Sequence, residues 1–119
     1  MIIEIRTYTV KPGIRDRFIS FIENKSGPVQ RHNGIQLLGP FINVDDENSV
    51  VYLRGFTTLE ERDRSRHSFY GGSEWQHELK SEAMAMIASY KVVIAESTAH
   101  AFTFDHYYLP IRRRAGCDQ

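Results

Sequence analysis

The segment Val50 to Phe56, Val-Val-Tyr-Leu-Arg-Gly-Phe, is β-branched and aromatic except for one charge, Arg54, set in its middle. Residues of this kind suit a pleated, half-buried strand, and an arginine inside such a strand requires a partner. Two residues later Thr58 and Glu61 have the Thr-x-x-Glu spacing of a capping box, which opens a helix by satisfying orphan backbone N–H groups. A strand thus runs straight into a helix, with a charge that has to be neutralised by whatever lies beside the strand.

In chain order, Ile2 to Val10 reads as a first strand with Ile3 and Ile5 on one face and Glu4, Arg6 and Tyr8 on the other. Lys11-Pro12-Gly13 breaks it, and Ile14, Phe18, Phe21 and Ile22 mark a helix over about residues 13–24. Ser26-Gly27-Pro28 interrupts that helix, and a short turn from Pro28 to His32 stops at Asn33-Gly34. Ile35 to Val44 is a second strand, marked by Gly39-Pro40 as an edge strand or the site of a bulge. The polar turn from Asp45 to Asn48 pairs it with the third strand, Ser49 to Phe56. Beyond the helix that starts near Leu59, Gly71-Gly72 is a break, and Ser73 with Gln76 offers a second capping box. Trp75, Leu79, Ala83, Met86, Ile87 and Tyr90 form one stripe, which predicts a helix to about Lys91. Val92 to Glu96 reads as linker or short strand, and Thr98 to Phe104 as the last strand.

The chain has 119 residues, enough for one core, and 15 basic against 15 acidic side chains leave no net charge. Neither nucleic acid nor an anionic membrane is therefore an expected partner. No apolar run reaches the length of a membrane span, and Met1 to Ile5 lacks the features of a signal peptide, so a cytoplasmic location is expected. The lone Cys117 excludes an internal disulfide and is a poor nucleophile in its polar surroundings. The expected organisation is one domain over residues 1–106, with a tail over 107–119 whose Arg112 to Arg114 run reads as solvated.

The order β-α-β-β-α-β folds most simply into an α+β, ferredoxin-like antiparallel sheet with its helices on one face. The other face, if it carries Ile, Val and Phe, needs cover, and a twofold partner supplies it. In this plan the first and third strands are neighbours, which brings Glu4 or Arg6 beside Tyr52 or Arg54.

Arg6-Thr7-Tyr8 with Lys11-Pro12-Gly13, Gly34-Ile35 with Gly39-Pro40, Tyr52 to Phe56 followed by Leu59-Glu60-Glu61-Arg62, and Phe69-Tyr70 with Trp75 resemble the motif series of the NIPSNAP family over residues 2–91. The resemblance implies a homodimeric α+β barrel in which two such sheets close against each other. At the superfamily level it implies likeness to cofactor-free monooxygenases, isomerases and haem-handling proteins, with pockets between sheet and helices. The family carries no single assigned reaction, and its founding members were linked to vesicle and mitochondrial processes. The tail matches nothing in the pattern.

Glu4, Arg6, Tyr8, Tyr52 and Arg54, if they converge beneath the helices, form a floor for a carboxylate, phenolate or carbonyl compound. Arg62, Phe69, Tyr70 and Trp75 would close it from above. The alternative is a satisfied structural ion-pair network in a non-catalytic binding or scaffold module, and a cavity of at least about 300 Å³ reaching Arg54 distinguishes the two. His32, His100 or Tyr8 would be the group that moves a proton, with arginine holding the enolate, in cofactor-free oxidation, isomerisation or dehydration. His32, His67, His77, His100 and His106 lack the spacing and carboxylate company of a metal site, so neither a metal nor a cofactor is expected. Gly71-Gly72-Ser73 lacks the lysine and spacing of a nucleotide loop.

Overall fold

The computed structural model describes residues 1–98, and their elements follow the expected order with two corrections. Strand β1 (Ile2–Val10) leads to α1 (Arg15–Phe21), a π-helical turn (Ile22–Ser26) and α2 (Gly27–His32), followed by the strands β2 (Gln36–Ile42) and β3 (Ser49–Phe56). Helix α3 (Leu59–Gly71), a second π-helical turn (Trp75–Leu79) and α4 (Lys80–Met86) precede β4 (Ile87–Glu96). The four strands form one antiparallel sheet in the order β2-β3-β1-β4, the ferredoxin-like plan.

The first correction concerns Ser26-Gly27-Pro28, which bends the helical register instead of breaking it. Pro28 has no N–H to give, and the chain passes it through a π turn closed by the Gly27 N–H on the Ile22 carbonyl, so α1 and α2 are continuous. The second concerns the C-terminal half of the sheet. The helix predicted to Lys91 ends at Met86, and the segment from Ile87 pairs with β1 from Ile2 to Val10. The stripe at helical spacing is real up to Met86, where Leu79, Ala83 and Met86 are buried. Past that point the β-branched Val92, Val93 and Ile94 win a full strand ladder, because β1 offers a vacant edge of matching length. The last described strand is thus β4; of the expected strand Thr98 to Phe104, Thr98 lies in a bend and 99–104 fall outside the described residues. His100, His106, Cys117 and Arg112 to Arg114 fall outside them too.

Gly39 and Pro40 sit on the edge strand β2, where the register shifts between Leu38 and Phe41. Thr58 caps α3 by accepting the Glu61 N–H at 3.0 Å, while the Glu61 carboxylate turns outward to Arg64, so half of the expected capping box forms. Gln76 likewise does not complete a box; its side-chain amide donates to the Tyr70 carbonyl oxygen at 2.6 Å.

Alternation along the strands gives the sheet two unlike faces. Against the helices lie Ile2, Glu4, Arg6, Tyr8 and Val10 of β1 and Val50, Tyr52, Arg54 and Phe56 of β3, all buried. The apolar members join Phe18, Phe21, Ile22, Leu37, Phe69 and Met86 in one core. On the opposite face the pairing register lines up Leu38, Leu53, Ile5 and Val93 across all four strands. Ile5 keeps 37%, Phe41 46% and Val93 49% of its surface exposed there.

Candidate functional site

One carboxylate organises the helix-facing side. Glu4 is directly opposite Arg54, and Arg6 opposite Tyr52, because β1 and β3 are antiparallel neighbours. Glu4 is completely buried. Its Oε1 accepts from Arg6 Nη1 at 2.7 Å and from Arg54 Nη1 at 3.4 Å, and its Oε2 from Arg62 Nε at 2.6 Å. Arg66, one turn further along α3, places its Nε 3.7 Å from Oε2, which is beyond hydrogen-bonding distance. That nitrogen has no hydrogen-bond partner among the described residues. Four guanidiniums thus share a single carboxylate.

The tyrosines take up the donors that Glu4 cannot. Arg6 Nε donates to Tyr8 Oη at 2.9 Å, and Arg54 Nη2 to Tyr70 Oη at 2.8 Å and, more weakly, to Tyr52 Oη at 3.4 Å. The rings of Tyr8 and Tyr52 stack with planes 4° apart, and their hydroxyls are 3.2 Å from each other. Arg54 also donates from Nε to Gln30 Oε1 at 2.9 Å, a partner brought in by α2. Guanidinium carbons sit over the Tyr70 ring at 5.5 Å from Arg54 and 5.6 Å from Arg66.

Burial and charge pull against each other at every titrating group here. Burial would raise the Glu4 carboxyl, but Arg54 and Arg6, with hydrogen bonds from Arg6 and Arg62, bring it below the ordinary carboxylate value. Burial, together with the neighbouring Tyr52, pushes Tyr8 well above an ordinary phenol. Tyr52 moves the other way: burial is outweighed by Arg54 and Arg6 and by hydrogen bonds from Tyr8 and Arg54, so its phenol is lowered.

The nine expected binding residues divide clearly. Glu4, Arg6, Tyr8, Tyr52, Arg54, Arg62 and Tyr70 form the connected network, while Phe69 and Trp75 pack on it through ring contacts at 4.8 Å and 5.2 Å with Tyr70. His32 is exposed at the end of α2 and lines neither of the spaces described next. Sequence reasoning missed Gln30, which is 2% exposed and had no signal beyond its place in a helix. It also missed Arg66, although Arg62, Arg66 and Tyr70 fall at i, i+4 and i+8 on one face of α3.

Two spaces adjoin the network. The one that reaches Arg54, Tyr52 and Tyr8 amounts to about 30 Å³, room for about one or two waters. It is far below the size set above for a ligand cavity at Arg54, so the interior there is filled. The second is a groove of about 230 Å³ beside it, lined by the rings of Tyr70, Trp75 and Tyr90, by Arg6 and Arg66, and by Met84 and Ile87. Tyr8 lines both.

Among the described residues no three His, Cys, Asp or Glu side chains gather as a metal site would require. No described helix is long and apolar enough to cross a membrane.

The fold and the network can be set beside known proteins. No curated protein matches. Among solved structures, a NIPSNAP-like domain protein from Burkholderia xenovorans is 25% identical with a TM-score of 0.76, over 86% of this chain and 89% of its own. A second NIPSNAP domain protein from the same organism is 18% identical with a TM-score of 0.77, over 87% of this chain and 100% of its own. A putative antibiotic biosynthesis monooxygenase from Nitrosomonas europaea shares the fold at 15% identity and a TM-score of 0.64, over 83% of this chain and 100% of its own. The NIPSNAP family model matches residues 3–100, a span that contains the whole arginine-tyrosine network, and the chain belongs to the NIPSNAP family.

Proposed function

We propose that the protein is a homodimeric small-molecule-binding domain whose ligand is a compact aromatic carboxylate or carbonyl compound, held in the groove beside the network. The observation that carries this reading is the charge imbalance: Arg6, Arg54, Arg62 and Arg66 converge on Glu4, with the exposed Asp63 beside Arg62 alone, and Arg66, whose Nε is without a hydrogen-bond partner among the described residues, lines the groove. Planar guanidiniums favour carboxylate or enolate oxygens, and the rings of Tyr70, Trp75 and Tyr90 offer flat apolar walls. A cavity of roughly 150 Å³ accommodates benzene, so about 230 Å³ suits one ring with a short polar substituent. The chemistry open to such a site is proton transfer with stabilisation of the resulting enolate, the opening step of isomerisation, dehydration or cofactor-free oxygenation of an activated carbonyl.

Homodimer formation is part of the reading. Ile5, Phe41 and Val93 leave an apolar band on the face away from the helices, and covering it with a second copy removes that surface from water. A cytoplasmic location accords with the lone cysteine.

The test is thermal-shift and calorimetric titration with benzoate and phenylpyruvate, using benzylamine as the control of opposite charge. We expect the acids to bind and the amine not to. Arg66→Ala is expected to weaken binding by about tenfold or more, the value of one charge-assisted hydrogen bond. Equal binding of amine and acid, or no shift with any compound, would remove the reading. A non-catalytic scaffold is the second reading, and it is favoured by one observation: the space at Arg54 is only about 30 Å³.

A further inference from the structure

The hydroxyls of Tyr8 and Tyr52 meet between two guanidiniums. Tyr8 Oη accepts from Arg6 Nε, Tyr52 Oη accepts from Arg54 Nη2, and the two oxygens share one hydrogen across 3.2 Å. Whichever of the two donates in that contact, the phenolic hydrogen of the other meets no side-chain acceptor in the network and turns to the small space or the groove beside it. Both residues are buried, Tyr8 at 6% and Tyr52 at 4% exposure, so the guanidiniums beside them act on the phenols with little screening by solvent. The surrounding charge points the same way. Arg6 and Glu4 approach from β1, Arg54 from β3, Arg62, Arg66 and Tyr70 from α3, and Tyr90 from β4. The remaining neighbours, Gln30 and Phe18, carry no charge. Glu4 is shared by four guanidiniums and the exposed Asp63 reaches Arg62 alone, so positive charge still exceeds negative around the two phenols, and a phenolate between Arg6 and Arg54 offsets it.

From this geometry we propose that Tyr8 and Tyr52 act as one acid–base unit, a single proton held between two oxygens, which takes a proton from an enolisable carbonyl compound bound in the adjoining groove. The opposed shifts of the two phenols agree with it, since Tyr52 is lowered by Arg54 and Arg6 against its burial while burial raises Tyr8. Tyr8 lines the groove and Tyr52 does not, so Tyr8 meets the ligand and Tyr52 works through it. In the step, the C–H bond beside the carbonyl breaks and its electron pair moves onto the carbonyl oxygen as an enolate. The proton passes to Tyr8 Oη while the hydrogen that Tyr8 held passes to the Tyr52 phenolate. Arg6 and Arg66 face the new oxyanion, and reprotonation of the carbon by the same route returns the unit to its starting state. Neither an oxidant nor a second reactant is required.

The catalytic role rests on the ligand reading above, whereas the shared proton does not, and the experiment separates them. The near-ultraviolet tyrosinate absorbance of the unliganded protein is followed with pH. One tyrosinate is expected to develop ahead of the other tyrosines and below the ordinary phenol value of about 10, and to be lost in both Tyr52→Phe and Tyr8→Phe. If the wild-type protein gains no tyrosinate before the ordinary phenols titrate, the unit holds both protons and the proposal is overturned, whether or not either variant folds. Exchange of the phenylpyruvate methylene in deuterated water is then followed by NMR. The wild-type protein is expected to accelerate it at least about tenfold over buffer, and each variant to lose the gain while still binding the acid by calorimetry. Early tyrosinate and phenylpyruvate binding without faster exchange would overturn the base role. Early tyrosinate without any binding would overturn the ligand reading, and the base role with it, but leave the shared proton standing.

Discussion

Glu4 is the residue on which the buried charges depend, because it is the carboxylate that Arg6, Arg54 and Arg62 share, while the exposed Asp63 stands 3.7 Å from Arg62. Replacing it by Gln leaves the buried Arg6 and Arg54 without their carboxylate, and the expected loss is about 3–5 kcal/mol, measured by urea denaturation at pH 7. The pH dependence follows from the direction of its shift. A carboxyl held lower in the folded than in the unfolded chain contributes stability above its unfolded value, near 4.5, and loses it as pH falls through the folded value. The wild-type protein is therefore expected to weaken on acidification below the ordinary carboxylate range, and Glu4→Gln to show a flatter acid limb. Equal acid limbs would show that other carboxylates govern the transition. Gly27 makes a different kind of demand. A Cβ there would stand 2.5 Å from the Ile22 carbonyl oxygen and 3.3 Å from Leu37, so only glycine lets the π turn meet β2. Gly27→Ala is expected to cost about 1–3 kcal/mol by overpacking. An unchanged thermal midpoint would mean that the turn can relax.

At the scale of elements, α3 both starts the second half of the fold and closes the site. Ser65 and Phe69 face the sheet, and Ser65 meets Gly34, whose positive φ of 91° ends α2 with no room for a side chain. The same helix delivers Arg62, Arg66 and Tyr70 one turn apart. Thr58 holds its first turn, and Thr58→Ala is expected to lower stability by about 1 kcal/mol and leave the melting transition cooperative. A loss near zero would show that the first turn is held by packing alone. Elements whose signal lay within one segment were legible, namely β1, β3, the start of α3 and the Gly39-Pro40 irregularity of β2. The end of α4 was not, since Ile87 and Tyr90 suit a helical stripe as well as a strand. Pairing with β1 made the choice.

For the whole molecule, the apolar row of Leu38, Leu53, Ile5 and Val93 bears on assembly. Sedimentation at micromolar concentration is expected to give a dimer, and Ile5→Asp to shift it to monomer, because a desolvated carboxylate in the centre of that row would be unpaired. A monomeric wild-type protein would leave the exposed band without the proposed cover. Of the candidate site, Glu4, Arg6, Tyr8, Tyr52 and Arg54 were legible because strand alternation places them on one face whatever the neighbouring strands are. Gln30 and Arg66 were not, because each reaches the network from a helix whose rotation over the sheet is set by packing.

The amino-acid sequence by itself determined the order of strands and helices, the face on which the charges lie, and the need for a charge to meet Arg54, since all three follow from alternation and desolvation along short stretches of chain. Only the tertiary structure decided that one carboxylate must serve four guanidiniums, that the space at Arg54 is filled while a groove opens beside Arg66, and where α4 gives way to β4. These outcomes depend on distances between segments far apart in the chain, and such distances are set by how the helices pack on the sheet, which no local pattern specifies.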